Sequence, residues 1–109
     1  MLESPYSGDV ERNVEYALEC MRDSLSRGEA PMATHLLYTQ IPGGFLCDTK
    51  PHAQRMTDRA TGLAGGLAWR KLASKTVMYV DLGVSAGMDQ ARLEAESLNQ
   101  VIEVRRIRE

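Results

Sequence analysis

Ser4-Pro5-Tyr6-Ser7-Gly8-Asp9 stands between a very short apolar start and a long amphipathic segment. A strand that ends in such a turn and runs into a helix leaves several backbone N–H groups free. Together with the helix dipole they favour an anion, typically a phosphate. Pro5 stiffens the turn, and Gly8 lets the backbone come close to a ligand. Tyr6 adds a flat ring with a polar tip, suited to lying against a sugar or base. An ordinary strand-to-helix turn can look the same, so these six residues need support from the rest of the chain.

Met1-Leu2-Glu3 supplies only the stub of a first strand. From Val10 to Arg27, apolar residues at Val10, Val14, Ala17, Leu18, Met21 and Leu25 mark one helix face, expected to be buried. Gly28 suits the left-handed residue that ends such a helix. Glu29 to Thr34 reads as a short second strand with Pro31 at an edge position, followed by a helical turn over His35–Tyr38. Gln40 to Lys50 is the longest loop, and its Phe45 and Leu46 need cover from the core or from another subunit.

Pro51 to Ser74 reads as the second helix, with Met56, Ala60, Leu63, Leu67 and Lys71 in one stripe. Gly62, Gly65 and Gly66, near Trp69, each cost about 1 kcal/mol against alanine in a helix interior. They imply close approach of another backbone, either a sheet or a symmetry mate. Thr76 to Asp81 is nearly continuous in apolar residues and suits a central parallel strand. A Gly/Ser loop over Leu82–Gly87 leads to a third helix, Met88–Leu98, with Met88, Ala91, Ala95 and Leu98 inward. A last strand runs from Val101 to Ile107, and Arg105, Arg106 and Arg108 are expected to solvate its edge.

Strands alternating with helices give an α/β domain with a small parallel sheet of about four strands, order 2-1-3-4, joined by right-handed crossovers. By length, 109 residues make one small domain over 1–109 that buries about 65% of the surface its unfolded chain exposes. A formal net charge of −2 argues against a general nucleic-acid binder, which needs a basic stripe. No apolar run approaches the ~20 residues of a membrane span, and no signal peptide is visible. Cys20 and Cys47 lack metal-ligand spacing and read as free thiols in a reducing cytoplasm. No metal or cofactor is called for.

Ligands of open α/β sheets bind beyond the carboxyl ends of the strands, where the strand order reverses. Two loops meet there, Ser4–Asp9 and Asp81–Gly87. The candidate ligand-binding residues are Ser4, Tyr6, Ser7, Gly8, Asp81, Ser85 and Gly87. Asp81 suits ribose hydroxyls, while Ser85 and the N–H groups near Gly87 suit phosphate. As a turn cap and a helix N-cap, Asp81 and Ser85 would instead be structural. His35 and His52 have no paired nucleophile and read as structural or solvated.

Taken in order, these motifs resemble the nucleoside 2-deoxyribosyltransferase-like superfamily. They are Ser4-Pro5-Tyr6-Ser7-Gly8, Asn13, Ala30-Pro31…His35, Arg59…Gly62…Gly66…Trp69 and Asp81-Leu82-Gly83-Val84-Ser85-Ala86-Gly87-Met88. More narrowly, the chain is similar to the small uncharacterised branches common in phages and prophages. The resemblance covers nearly the whole chain and implies a Rossmann-like (flavodoxin-like) three-layer sandwich. It also implies a crevice for a nucleoside or nucleotide, and a homo-oligomer with sites near subunit contacts. Members begin with several more strand residues, so the shortened strand is expected to weaken sheet pairing and open the crevice. Either the start lies further upstream or a partner completes the edge.

Enzymes of that superfamily attack the sugar with a glutamate six residues after the loop serine. Here that position is Ala91, which can form no glycosyl intermediate. Asp89 and Glu94 are the nearest acids, about 200° and 300° around the helix from Ala91 at ~100° per residue. The expectation is a non-catalytic phage or prophage accessory protein of the host cytoplasm that binds a nucleotide-like ligand or a host protein. An active N-glycosidase or transferase using Asp89 or Glu94 is one alternative. A counter-defence inhibitor acting by protein–protein binding is the other.

Overall fold

A computed structural model describes the backbone of residues 1–40 and 52–108, with side chains for residues 1–39 and 60–108. The loop carrying Phe45, Leu46 and Cys47, and the side chains of His52, Met56 and Arg59, lie outside the described residues. The elements are β1 (Leu2–Glu3), α1 (Val10–Ser26), α2 (Thr34–Leu37) continued by a 3-10 turn (Tyr38–Gln40), α3 (His52–Leu72), β2 (Lys75–Tyr79), α4 (Ala86–Ser97) and β3 (Val101–Arg105). Among the described residues no helix is long and apolar enough to cross a membrane.

The three strands are parallel in the order β1-β2-β3, with Leu2 opposite Val77 and Val77 opposite Glu103. The expected four strands in order 2-1-3-4 are therefore corrected to three among the described residues. The stretch 29–33 runs beside β1 but bonds it at one point, Leu2 N donating to Met32 O at 2.9 Å. Pro31 has no N–H to offer a ladder, and Thr34 already opens α2. Without that strand, the remaining three keep the expected relative order.

Alternation along the strands gives the sheet two different faces. Leu2, Val77 and Tyr79 pack with Tyr16 and Cys20 of α1 and with Ala33, while Met21, Leu36, Leu82 and Ile107 close the rim. Burying each of the large side chains contributes about 1.5–3 kcal/mol. Glu3, Thr76 and Met78 face the other way, where Met88, Ala91 and Ala95 of α4 are buried as the spacing predicts. Leu98, expected inward, is partly exposed at the helix end.

Two helices turn a different face inward from the one their apolar spacing suggests. On α1 the buried stripe is Asn13, Tyr16, Ala17, Cys20 and Ser24, whereas Val10, Leu18 and Leu25 are exposed. Tyr16 decides this rotation, because its ring fills the core and its hydroxyl reaches Asp81. On α3, Gly66 and Arg70 are buried while Leu63 and Leu72 are exposed. A Cβ at position 65 would lie 2.9 Å from the Tyr38 ring, so the ring would have to shift, whereas one at Gly66 would meet Thr34 Oγ1 at 3.4 Å, an ordinary contact. Gly65 thus makes room for the Tyr38 side chain, where the sequence suggested another backbone.

Arg105 is likewise corrected from an edge-solvating residue to a buried one. Its guanidinium holds both Glu29 oxygens at 2.7 Å, Glu103 at 2.6 Å and the Tyr79 hydroxyl at 3.1 Å. It sits beside Tyr79 in the β2–β3 register, so its side chain points into the α1 face. Arg108 pairs with Glu19 at 3.0 Å and lies 5.0 Å from the centre of the Tyr16 ring.

Candidate functional site

A cleft of about 200 Å³ opens beyond the carboxyl ends of β1 and β2. From the β1 side it is lined by Glu3, Ser4, Tyr6 and Ser7, and from the start of α4 by Ser85, Gly87 and Met88. Thr34, His35, Tyr38 and Thr39 of the α2 segment and Gly62 and Leu63 of α3 close the remaining sides. Five of the seven expected ligand residues, Ser4, Tyr6, Ser7, Ser85 and Gly87, therefore share one cleft. Gly8 and Asp81 do not line it.

The Ser4–Asp9 turn is fixed from α1. Asn13 Nδ2 donates to the carbonyls of Tyr6 at 2.9 Å and Ser7 at 3.0 Å. Asp9 caps the helix by accepting from Arg12 N at 3.2 Å, and Gly8 takes the left-handed conformation the turn needs, φ 98°. Across the cleft Ser85 is the N-cap of α4, its Oγ accepting from Met88 N at 3.2 Å. The remaining first-turn amides of α4 give the cleft a rim of N–H groups and the positive end of a helix dipole.

Ser4 Oγ and His35 Nε2 share a hydrogen bond of 2.8 Å. Burial pushes the His35 imidazole down to about 4, so the ring is neutral at physiological pH. Glu3 brings a carboxylate to the same wall. Its Oε1 accepts from Arg70 Nη2, and the pair is almost enclosed, with side chains 13% and 3% exposed. Burial raises the Glu3 carboxyl above its usual range, and the Arg70 charge only partly offsets this. Arg70 also donates to Thr76 Oγ1 at 2.5 Å and lies 3.5 Å from a Glu94 oxygen.

Asp81 is used differently. Its carboxylate accepts from the Tyr16 hydroxyl at 2.5 Å, Ile107 N at 3.0 Å and Arg108 N at 2.8 Å, tying the last residues onto α1. Burial alone would lift this carboxyl, but those donors together outweigh it and hold it below the ordinary range. The Cys20 thiol sits in the core behind Tyr16, and burial pushes it up to about 12, so it is no nucleophile near neutral pH.

The three α4 positions of the expected chemistry separate from the cleft. Ala91 is buried against the sheet. Asp89 is solvent-exposed and 3.4 Å from Arg92 on its own helix, and Glu94 turns toward Arg70. None of the three lines the cleft. Sequence reasoning set His35 aside and treated Glu3 as a strand residue. A charged residue inside the apolar stub next to Ser4 was the available signal for Glu3.

Neither a search of curated proteins nor a search of solved structures returned a match. The model of one protein family, described as a domain of unknown function (DUF7768), matches residues 1–105 and so takes in every element around the cleft. The chain belongs to that family of domains of unknown function, DUF7768.

Proposed function

We propose that the cleft binds a nucleoside- or nucleotide-like ligand and holds it without turnover, in a Rossmann-like arrangement of the sheet and its helices. The observation that carries this reading is the meeting of Ser4, Tyr6 and Ser7 with Ser85 and Gly87 in one cleft at the carboxyl ends of adjacent parallel strands. Ligands of parallel α/β sheets bind at that end. The resemblance to nucleoside 2-deoxyribosyltransferases supports the ligand class and the role of a phage or prophage accessory protein. Glycosyl transfer by the superfamily's route needs a carboxylate where Ala91 is buried, and a displacement of even ~1 Å costs about 10²-fold in rate. Asp89 and Glu94 are turned elsewhere by Arg92 and Arg70, which makes an active glycosidase using them the weaker reading.

The test incubates the protein with each deoxynucleoside and its monophosphate, following melting temperature and free base by chromatography. A raised melting temperature without base release is the expected result, since binding to the folded state stabilises it by mass action. Base release that disappears in Asp89→Ala or Glu94→Ala would replace this reading with a relocated active site.

A second reading, association with a host protein or another copy of the chain, draws on the exposure of Leu18 and Leu25 on α1 and Leu72 on α3. Light scattering showing a clean monomer at high micromolar concentration would remove the second-copy form of it.

A further inference from the structure

Resting on the reading that the cleft takes a nucleoside-like ligand, we propose that Glu3 filters ligands by charge. Its carboxylate accepts a hydrogen bond from an N–H or O–H of a neutral or cationic ring compound and disfavours the phosphorylated form. Glu3 lies in β1, opposite Met78 in the sheet register, and lines the cleft floor beside Ser4. Arg70 occupies Oε1, and among the described residues no donor reaches Oε2. Arg70 is divided between two carboxylates, Glu3 and Glu94, and so is not devoted to Glu3 alone. Its own side chain is 3% exposed, so it cannot turn outward to meet a phosphate.

The other described walls do not restore positive charge. His35 is neutral, and Glu3, ion-paired to Arg70, is the one acidic group among the described lining residues. Opposing it are the α4 amides, worth roughly half a positive charge at a helix N-terminus. A phosphate in this small cleft would carry up to two negative charges close to a carboxylate with little water between them, where repulsion is strong. A ligand with a donor edge meets instead an acceptor at Glu3 and a hydroxyl at Ser4, with Leu63 and Met88 as apolar surface.

The experiment measures, at about pH 8, the affinity of the wild-type protein for each deoxynucleoside and its 5′-monophosphate by calorimetry. The expected result is a preference of roughly tenfold or more for at least one unphosphorylated compound. Glu3→Gln should collapse that ratio, while Glu94→Gln, which also touches Arg70 but does not line the cleft, should leave it in place. Monophosphates binding as tightly as nucleosides, or more tightly, would overturn the filter and leave the ligand-binding reading standing. That comparison needs only the wild-type protein, so it survives a Glu3→Gln variant that fails to fold. Binding of neither class would overturn both.

Discussion

Glu3 and Asp81 stand at the carboxyl ends of adjacent parallel strands, Glu3 as the last residue of β1 and Asp81 two residues beyond β2. From sequence, Asp81 is the natural ligand-binding acid and Glu3 a strand residue. In the structure the roles are reversed. Asp81 is surrounded by donors from Tyr16, Ile107 and Arg108 and is used to fasten the segment that follows β3. Among the described residues Glu3 has one donor, Arg70, which it shares with Glu94, and it opens on the cleft. A carboxylate's task is therefore set by how many donors already point at it, and its distance from a strand end does not decide it.

The largest expected effect breaks the Asp81 corner. Asp81→Ala leaves a phenol and two backbone amides without their acceptor and should cost about 3 kcal/mol in urea denaturation. The cleft lining is untouched by that change, so cleft binding by the remaining folded protein should persist.

The next effect belongs to the Glu3 side and comes from His35. Its folded-state value, about 4, lies below the ordinary imidazole value of 6.5, so the unfolded chain binds a proton first on acidification. Stability is fully present above about pH 6.5 and should fall by roughly 1–3 kcal/mol between there and pH 4. His35→Gln should flatten that window in a pH series of melting temperatures. An unchanged slope would mean that another group titrates there.

Glu3→Gln should be milder, about 1 kcal/mol, because the amide oxygen still accepts from Arg70 and Glu94 remains beside it. A cost above that of Asp81→Ala in the same denaturation experiment would reverse the comparison. The smallest effect is a difference of sign. Asp81 has a lowered value, so its contribution is present above the unfolded value of 3.8 and is lost as pH falls below it. Glu3 has a raised value, so its contribution is lost as pH rises through the folded value, above 4.5. Asp81→Asn and Glu3→Gln should therefore tilt the acid limb of the stability profile in opposite directions.

Much of the scaffold is legible in the residues. The continuous apolar run of β2, the inward Met88, Ala91 and Ala95 of α4 and the helix-ending Gly28, φ 80°, follow from periodicity and cap chemistry. The convergence of Ser4–Ser7 with Ser85–Gly87 follows from parallel topology. The buried faces of α1 and α3 do not follow from hydropathy, which ranks Leu18 and Leu63 above Tyr16 and Gly66. Room for the Tyr38 ring and a hydroxyl partner for Tyr16 decide those faces, and both are long-range facts. The Glu3–Arg70 and Ser4–His35 pairs join residues far apart in the chain, so no local spacing announces them.

The central claim, that ligand binding belongs to the Glu3 corner and chain fastening to the Asp81 corner, is tested most directly by nuclear magnetic resonance. An ¹⁵N-labelled protein is titrated with deoxynucleosides while its backbone amides are followed. The expected result is saturable shifts at Ser4, Tyr6, His35, Gly62, Ser85 and Gly87, with Arg108 and Ile107 unmoved. Shifts centred on Asp81, Ile107 and Arg108, or none at millimolar ligand, would contradict it.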